Sequence, residues 1–191
     1  MNAGVKRATR SAIAAATLML AGCVGYNTYP PQGGALAGTD PNARTMQAVM
    51  VAAIQDAVRT QPPPPDSPYA IGLPRGATSE TYQRVTSQVG DRARPLTTQT
   101  RDLPIYLVGR VWIRGPKAEV DIHRPLDPSS DTVDRTQATT FYLRGGFKDW
   151  HVIHRQAWAA GAVPVPPFDV LEPTPAPPPI DTASVNDPEG G

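Results

Sequence analysis

The chain of 191 residues carries 18 basic and 17 acidic side chains, a formal net charge of +1, and its lysines and arginines are scattered. No basic stripe of the kind that tracks a phosphate backbone stands out, so nucleic acid is not expected as a partner. With 23 prolines, 16 glycines and a single cysteine, no internal disulfide can form, and the composition points to one small domain carried between Pro/Gly-rich segments.

Lys6, Arg7 and Arg10 open the chain and precede an apolar stretch, Ala12 to Ala21, that contains Ile13, Leu18, Met19 and Leu20. About ten apolar residues are half of the roughly 20 that a bilayer span needs, but they match the apolar core of a secretory signal. The stretch runs into Leu20-Ala21-Gly22-Cys23, which resembles the lipobox of bacterial lipoproteins. That resemblance implies a signal peptide over residues 1–22, cleavage before Cys23, and a diacylglycerol (palmitate-type) anchor on the Cys23 sulfur. Membrane lipid is then the first partner, and two or three acyl chains make the attachment effectively permanent. Val24 stands where inner-membrane retention would call for aspartate, so the expected location is the cell envelope, at the outer membrane rather than the inner. Acylation would consume the only thiol, which removes cysteine nucleophiles and cysteine-based zinc sites.

Residues 23–39, with Tyr26, Tyr29, Pro30, Pro31, Gly33, Gly34 and Gly38, read as a flexible tether. Asp40-Pro41 then suggests a helix start. Met46, Val49, Met50, Ala53, Ile54, Ala57 and Val58 recur at three and four, an amphipathic helix over 40–61 ended by the prolines from Pro62 to Pro65. A Pro/Gly linker over 62–76 leads to a second helix. Ser79 is its expected cap, Glu80 suits its first turn, Tyr82, Val85 and Val89 share a face, and Gly90 ends it.

The period then changes to two. Leu107, Val111 and Ile113 alternate with Arg110, Trp112 and Arg114, and Ala118, Val120 and Ile122 alternate with Glu119, Asp121 and His123. Gly115-Pro116 between them predicts a hairpin in which Ile113 faces Ala118, Val111 faces Val120 and Gly109 faces Ile122, with Arg110 meeting Asp121 and Trp112 meeting Glu119. A polar connection over 125–134 precedes a second hairpin, Thr136–Leu143 and Trp150–Trp158, expected to pair Leu143 with Trp150 and Phe141 with Val152. The expected fold is α+β, with one or two N-terminal helices on a four-stranded antiparallel meander; the α+β domain covers 77–160, and 161–191 forms a Pro-rich disordered tail.

The run Phe141-Tyr142-Leu143-Arg144-Gly145-Gly146, followed by Asp149-Trp150-His151-Val152-Ile153, is similar to the closing hairpin of cystatin-like and NTF2-like domains. The resemblance implies a curved sheet closed against helices. It carries a second functional reading, a small-ligand pocket of hydrolase or isomerase type lined by Tyr106, Tyr142 or Trp150.

The residues themselves point elsewhere. On a regular strand His151 and His154 face opposite ways, so a shared metal is not expected. Asp121 and His123 share a face at i, i+2, the spacing of a carboxylate that orients a general-base imidazole; no serine nucleophile with a supporting turn accompanies them, and Arg110 opposite explains the acid without catalysis. Gly145-Gly146 lacks the strand–glycine–helix setting of a phosphate loop. No catalytic residue, metal or cofactor is therefore expected. The face made by Arg110, Trp112, Arg114, Glu119, Asp121 and His123 combines an aromatic ring with both charge signs, which suits contact with an envelope protein or a glycan.

Overall fold

The computed structural model describes the backbone of residues 26–29 and residues 40–126, 136–146, 149–165 and 167–172. The architecture is α+β. In chain order it contains β1 (Tyr26–Tyr29), α1 (Arg44–Thr60), β2 (Tyr69–Gly72), α2 (Ser79–Val89), β3 (Ala93–Pro95), β4 (Ile105–Arg114), β5 (Lys117–Pro125), β6 (Thr136–Arg144) and β7 (His151–Ala157). The strands form one mixed sheet in the order β3-β2-β4-β5-β6-β7, with β1 beside the end of β4. The expected signal peptide 1–22, Cys23 and the distal tail 173–191 lie outside the described residues.

Helix α1 forms where the three-and-four stripe places it. Met46, Val49, Met50, Ala53 and Ile54 are fully buried, the four larger side chains each contributing about 1.5–3 kcal/mol on leaving water. The helix starts later than Asp40-Pro41 predicts, because Asp40 caps a turn instead: its Oδ1 accepts from the Asn42 backbone N–H at 2.9 Å. Asn42 then joins the two helix starts, accepting from the Thr78 N–H at 2.9 Å and the Thr81 hydroxyl at 2.8 Å. Thr78, one residue before the expected Ser79, caps α2 by accepting from the Thr81 N–H. Tyr82, Val85, Met46, Ile71, Phe141 and Leu143 fill the space between helices and sheet.

The β4–β5 hairpin keeps most of its expected register: Ile113 faces Ala118, Trp112 faces Glu119, Val111 faces Val120 and Arg114 faces Lys117. Past that point it departs. Val108, not Gly109, faces Ile122, because a bulge inserts Gly109 and Arg110 opposite Asp121 and restores the apolar face with Tyr106 and Val108 inward.

The second hairpin is displaced by two residues, Leu143 facing Val152 and not Trp150. Trp150 packs into the turn, so close to Gly145 that a Cβ there would lie 2.9 Å from the Trp150 Cα. A further bulge at Ile153 sets Phe141 opposite Arg155, not Val152.

Three expectations are corrected, the first in full and the other two in part. The linker over 62–76 contains β2, which runs parallel to β4 and to β3; the sheet is mixed and the folded unit does not begin at 77. The tether over 23–39 is not wholly free, since Tyr26–Tyr29 pairs antiparallel with Val111–Arg114; its residues 30–39 lie outside the described residues. The tail does not begin at 161. Phe168 and Leu171 bridge to Pro74 and Thr97, and the Tyr82 hydroxyl donates to the Asp169 carbonyl at 3.2 Å.

Candidate functional site: the sheet face opposite the helices

Cross-strand partners share a face, so the registers arrange the helix-free side of the sheet in rows. Arg114, Lys117, Arg144 and His151 form the row at the hairpin turns. Trp112, Glu119, Tyr142 and His154 form the next, then Asp121, Thr140 and Gln156, and finally Leu107, His123 and Ala138. All six residues expected on a binding face are therefore brought to one side. They are not equally presented. Arg114 is exposed, Arg110, Trp112 and Glu119 are half-buried, and Asp121 and His123 are buried.

The bulge explains the centre of this face. It swings Arg110 over β5, where Nε donates to Asp121 Oδ2 at 2.9 Å and Nη2 donates to Glu119 Oε2 at 3.1 Å. Asp121 Oδ1 also accepts from the Thr140 hydroxyl at 2.6 Å, and Thr140 Oγ1 accepts from the Trp158 indole N–H at 2.8 Å. Burial alone would lower the Arg110 pKa, but the bonds and charges of Asp121 and Glu119 outweigh it and raise it. The chain Trp158–Thr140–Asp121–Arg110–Glu119 thus locks three strands and the residues after β7 together. Thr140 and Trp158 carry no signal in an isolated strand; aligning β5 with β6 in register is what places Thr140 opposite Asp121.

His123 stands apart from this network. Its ring is fully buried and neither Nδ1 nor Nε2 has a hydrogen-bond partner. It packs against the bulge, where a Cβ on Gly109 would fall 2.6 Å from Nε2. Burial pushes the imidazole pKa down, and the Asp121 charge opposes that only in part. The two residues share a face as the i, i+2 spacing requires, yet the Asp121 oxygens go to Arg110 and Thr140. No Asp–His pair forms. The imidazole is sealed from solvent and no carboxylate orients it. Ser129 and Ser130 lie outside the described residues.

The bulge at Ile153 also turns His151 and His154 onto the same face, against the alternation of a regular strand. His154 leans on Tyr142, ring centroids 5.4 Å apart. Among the described residues no group of three His, Cys, Asp or Glu is placed to hold a metal.

The three aromatic residues expected to line a ligand pocket are separated. Tyr106 is in the core, its hydroxyl donating to the Gln61 carbonyl at 2.6 Å. Tyr142 is on the opposite face and donates to Gln156. Trp150 borders an open groove of about 500 Å³ along the outside of α1, beside Arg44, Ala48, Ala52 and Gln55. Near that groove Asp56 binds Arg59 and Arg155, tying α1 to β7; burial raises the Asp56 pKa, but the two arginines more than offset it, Arg155 the more strongly, and hold it below the usual value. Among the described residues no helix is long and apolar enough to cross a membrane.

No protein-family model matches the chain, and no curated protein or solved structure matches it either.

Proposed function

We propose that the protein is a lipid-anchored module of a bacterial cell envelope, held at the outer membrane through acylated Cys23, that binds a protein partner and performs no catalysis of its own. The observation that carries the anchor is the ordered sequence of basic start, short apolar core and Leu20-Ala21-Gly22-Cys23. The binding role rests on the half-buried Trp112, flanked by exposed Arg114 and by the Arg110–Glu119 ion pair, an aromatic and charged composition suited to recognition. Asp121 supports that surface by holding Arg110, and His123 is buried away from it. The space between helices and sheet, where an NTF2-like pocket would open, is filled by buried side chains, so the pocket reading has less behind it.

Two measurements test the proposal. Radioactive palmitate should label the wild-type protein and not Cys23→Ser; label on that variant removes the anchor. Affinity capture from detergent-solubilised envelope should recover a partner with wild type and lose it with Trp112→Ala. Recovery of the same partners by both removes the binding face, and release of the partner by soluble glycan would reassign the ligand as carbohydrate.

A further inference from the structure

The hairpin end of the sheet carries an unusual row. Arg114, Lys117 and Arg144 are directly opposed across three strands, with His151 continuing the rung on β7, and all four are exposed. Like charges facing one another across paired strands destabilise them, so such a rung calls for a counter-anion. None is supplied from within: among the described residues Arg114, Lys117 and Arg144 enter no ion pair, and the acids of the neighbouring rows, Glu119 and Asp121, are taken by Arg110.

The same end of the sheet is where the N-terminal segment enters. Tyr26, the first residue of β1, pairs with Arg114, and only Val24 and Gly25 separate it from Cys23. Three extended residues span at most about 10 Å. A lipid on Cys23 therefore keeps the Arg114 end of the rung close to the headgroups, with Lys117 and Arg144 about 5 and 10 Å farther across the sheet, so that turning this end toward the surface brings all three to it. The opposite end of the sheet, about 30 Å away along β4, is covered by the segment containing Val165 and Phe168.

We infer that the Arg114–Lys117–Arg144 rung docks on anionic phospholipid headgroups, so that the lipid anchor and the rung together set the orientation of the domain on its membrane. This rests on the proposed acylation of Cys23. Each basic residue near an anionic surface strengthens binding about fivefold, so the three give on the order of a hundredfold preference for the docked over the swung-out arrangement. Side chains of the Trp112 row would then stand close to the membrane plane, and partners would approach from the side of the sheet.

The test uses the full chain purified from membranes and reconstituted into vesicles of phosphatidylcholine, with or without phosphatidylglycerol. Because acylation occupies the only native thiol, Pro116→Cys adds one free thiol at the turn beside the rung. A fluorophore there should be quenched by headgroup-labelled lipid when phosphatidylglycerol is present, and much less without it or in 1 M salt. A probe at Pro125→Cys, at the other end of β5, should stay unquenched. Lys117→Gln/Arg144→Gln should weaken docking about twenty-five-fold, while the charge-matched Arg94→Gln/Arg101→Gln should leave it unchanged. Quenching equal in both lipid mixtures, or equal in both double variants, overturns the inference. Palmitate labelling of the same sample separates the two claims. Acylated but undocked protein leaves the anchor standing alone; anionic-lipid quenching of unacylated protein leaves the rung standing alone; neither signal removes both.

Discussion

Replacing His123 with leucine takes away two buried ring nitrogens that have no hydrogen-bond partner and keeps comparable bulk at a fully buried position. In the folded protein burial holds the imidazole pKa below its ordinary value, with the Asp121 charge opposing; in the unfolded chain it returns to about 6.5. Below that pH the unfolded state binds a proton that the folded state refuses. Stability from the neutral ring is therefore complete above about pH 6.5 and declines as the pH falls toward the folded-state pKa, with a slope of at most about 1.4 kcal/mol per pH unit. Between pH 7.5 and pH 5 the loss is at most about 2 kcal/mol. Urea unfolding of wild type and His123→Leu between pH 7.5 and pH 5 measures this directly. His151, His154 and the carboxylates are common to both proteins, so the difference curve isolates His123. The variant should gain on wild type by up to about 2 kcal/mol as the pH falls. At pH 7.5 it should be no less stable, because each orphaned polar atom removed relieves roughly 1–3 kcal/mol. Parallel curves would mean that His123 titrates freely in the folded protein, and the sealed ring would have to be abandoned.

Other consequences of the packing are measurable by the same method. Gly109→Ala should cost about 1–3 kcal/mol by driving a methyl into His123, and the loss should shrink in combination with His123→Ala; strictly additive effects would place the ring elsewhere. Ile54→Ala, in the fully buried stripe of α1, should cost about 2–5 kcal/mol, and a loss below 1 kcal/mol would show that α1 is not seated on the sheet. Asp56→Ala should remove about 1–2 kcal/mol, screened because both arginines reach solvent. Since arginine holds the Asp56 pKa down, that contribution is present above about pH 4 and lost as the pH falls through the lowered folded-state value; an Asp56→Ala penalty that survives at pH 2 would contradict the ion-pair origin.

The parts of the fold legible in the sequence are those where one face meets water and the other does not. The α1 stripe from Met46 to Ala57 and the alternation from Val111 to Val120 are of this kind, and the structure follows both. Tyr69-Ala70-Ile71-Gly72 is buried on both sides, so β2 has no alternation to betray it, and β3 is three residues long. Bulges are invisible to a period-two reading. The one at Gly109-Arg110 leaves the apolar rows intact while moving a charge, and the one at Ile153 reverses the expected relation of His151 and His154. The proposed binding face is half legible for the same reason. Alternation places Asp121 and His123 on the side of Trp112, but the Asp121 contacts to Thr140 and, through it, to Trp158 are set by tertiary packing. Tyr26–Tyr29 reads as tether because Pro30 and the glycines surround it, although its own tyrosines and threonine suit a strand.

Anchoring through Cys23, three residues before β1 at the edge of the sheet, is the central claim. Mass spectrometry of the protein extracted from membranes tests it most directly, on the tryptic peptide that ends at Arg44, the first basic residue after Cys23. This peptide is expected to begin at Cys23 and to carry the mass of a diacylglyceryl thioether. A peptide that retains residues before Cys23, or one with a free thiol, would contradict it.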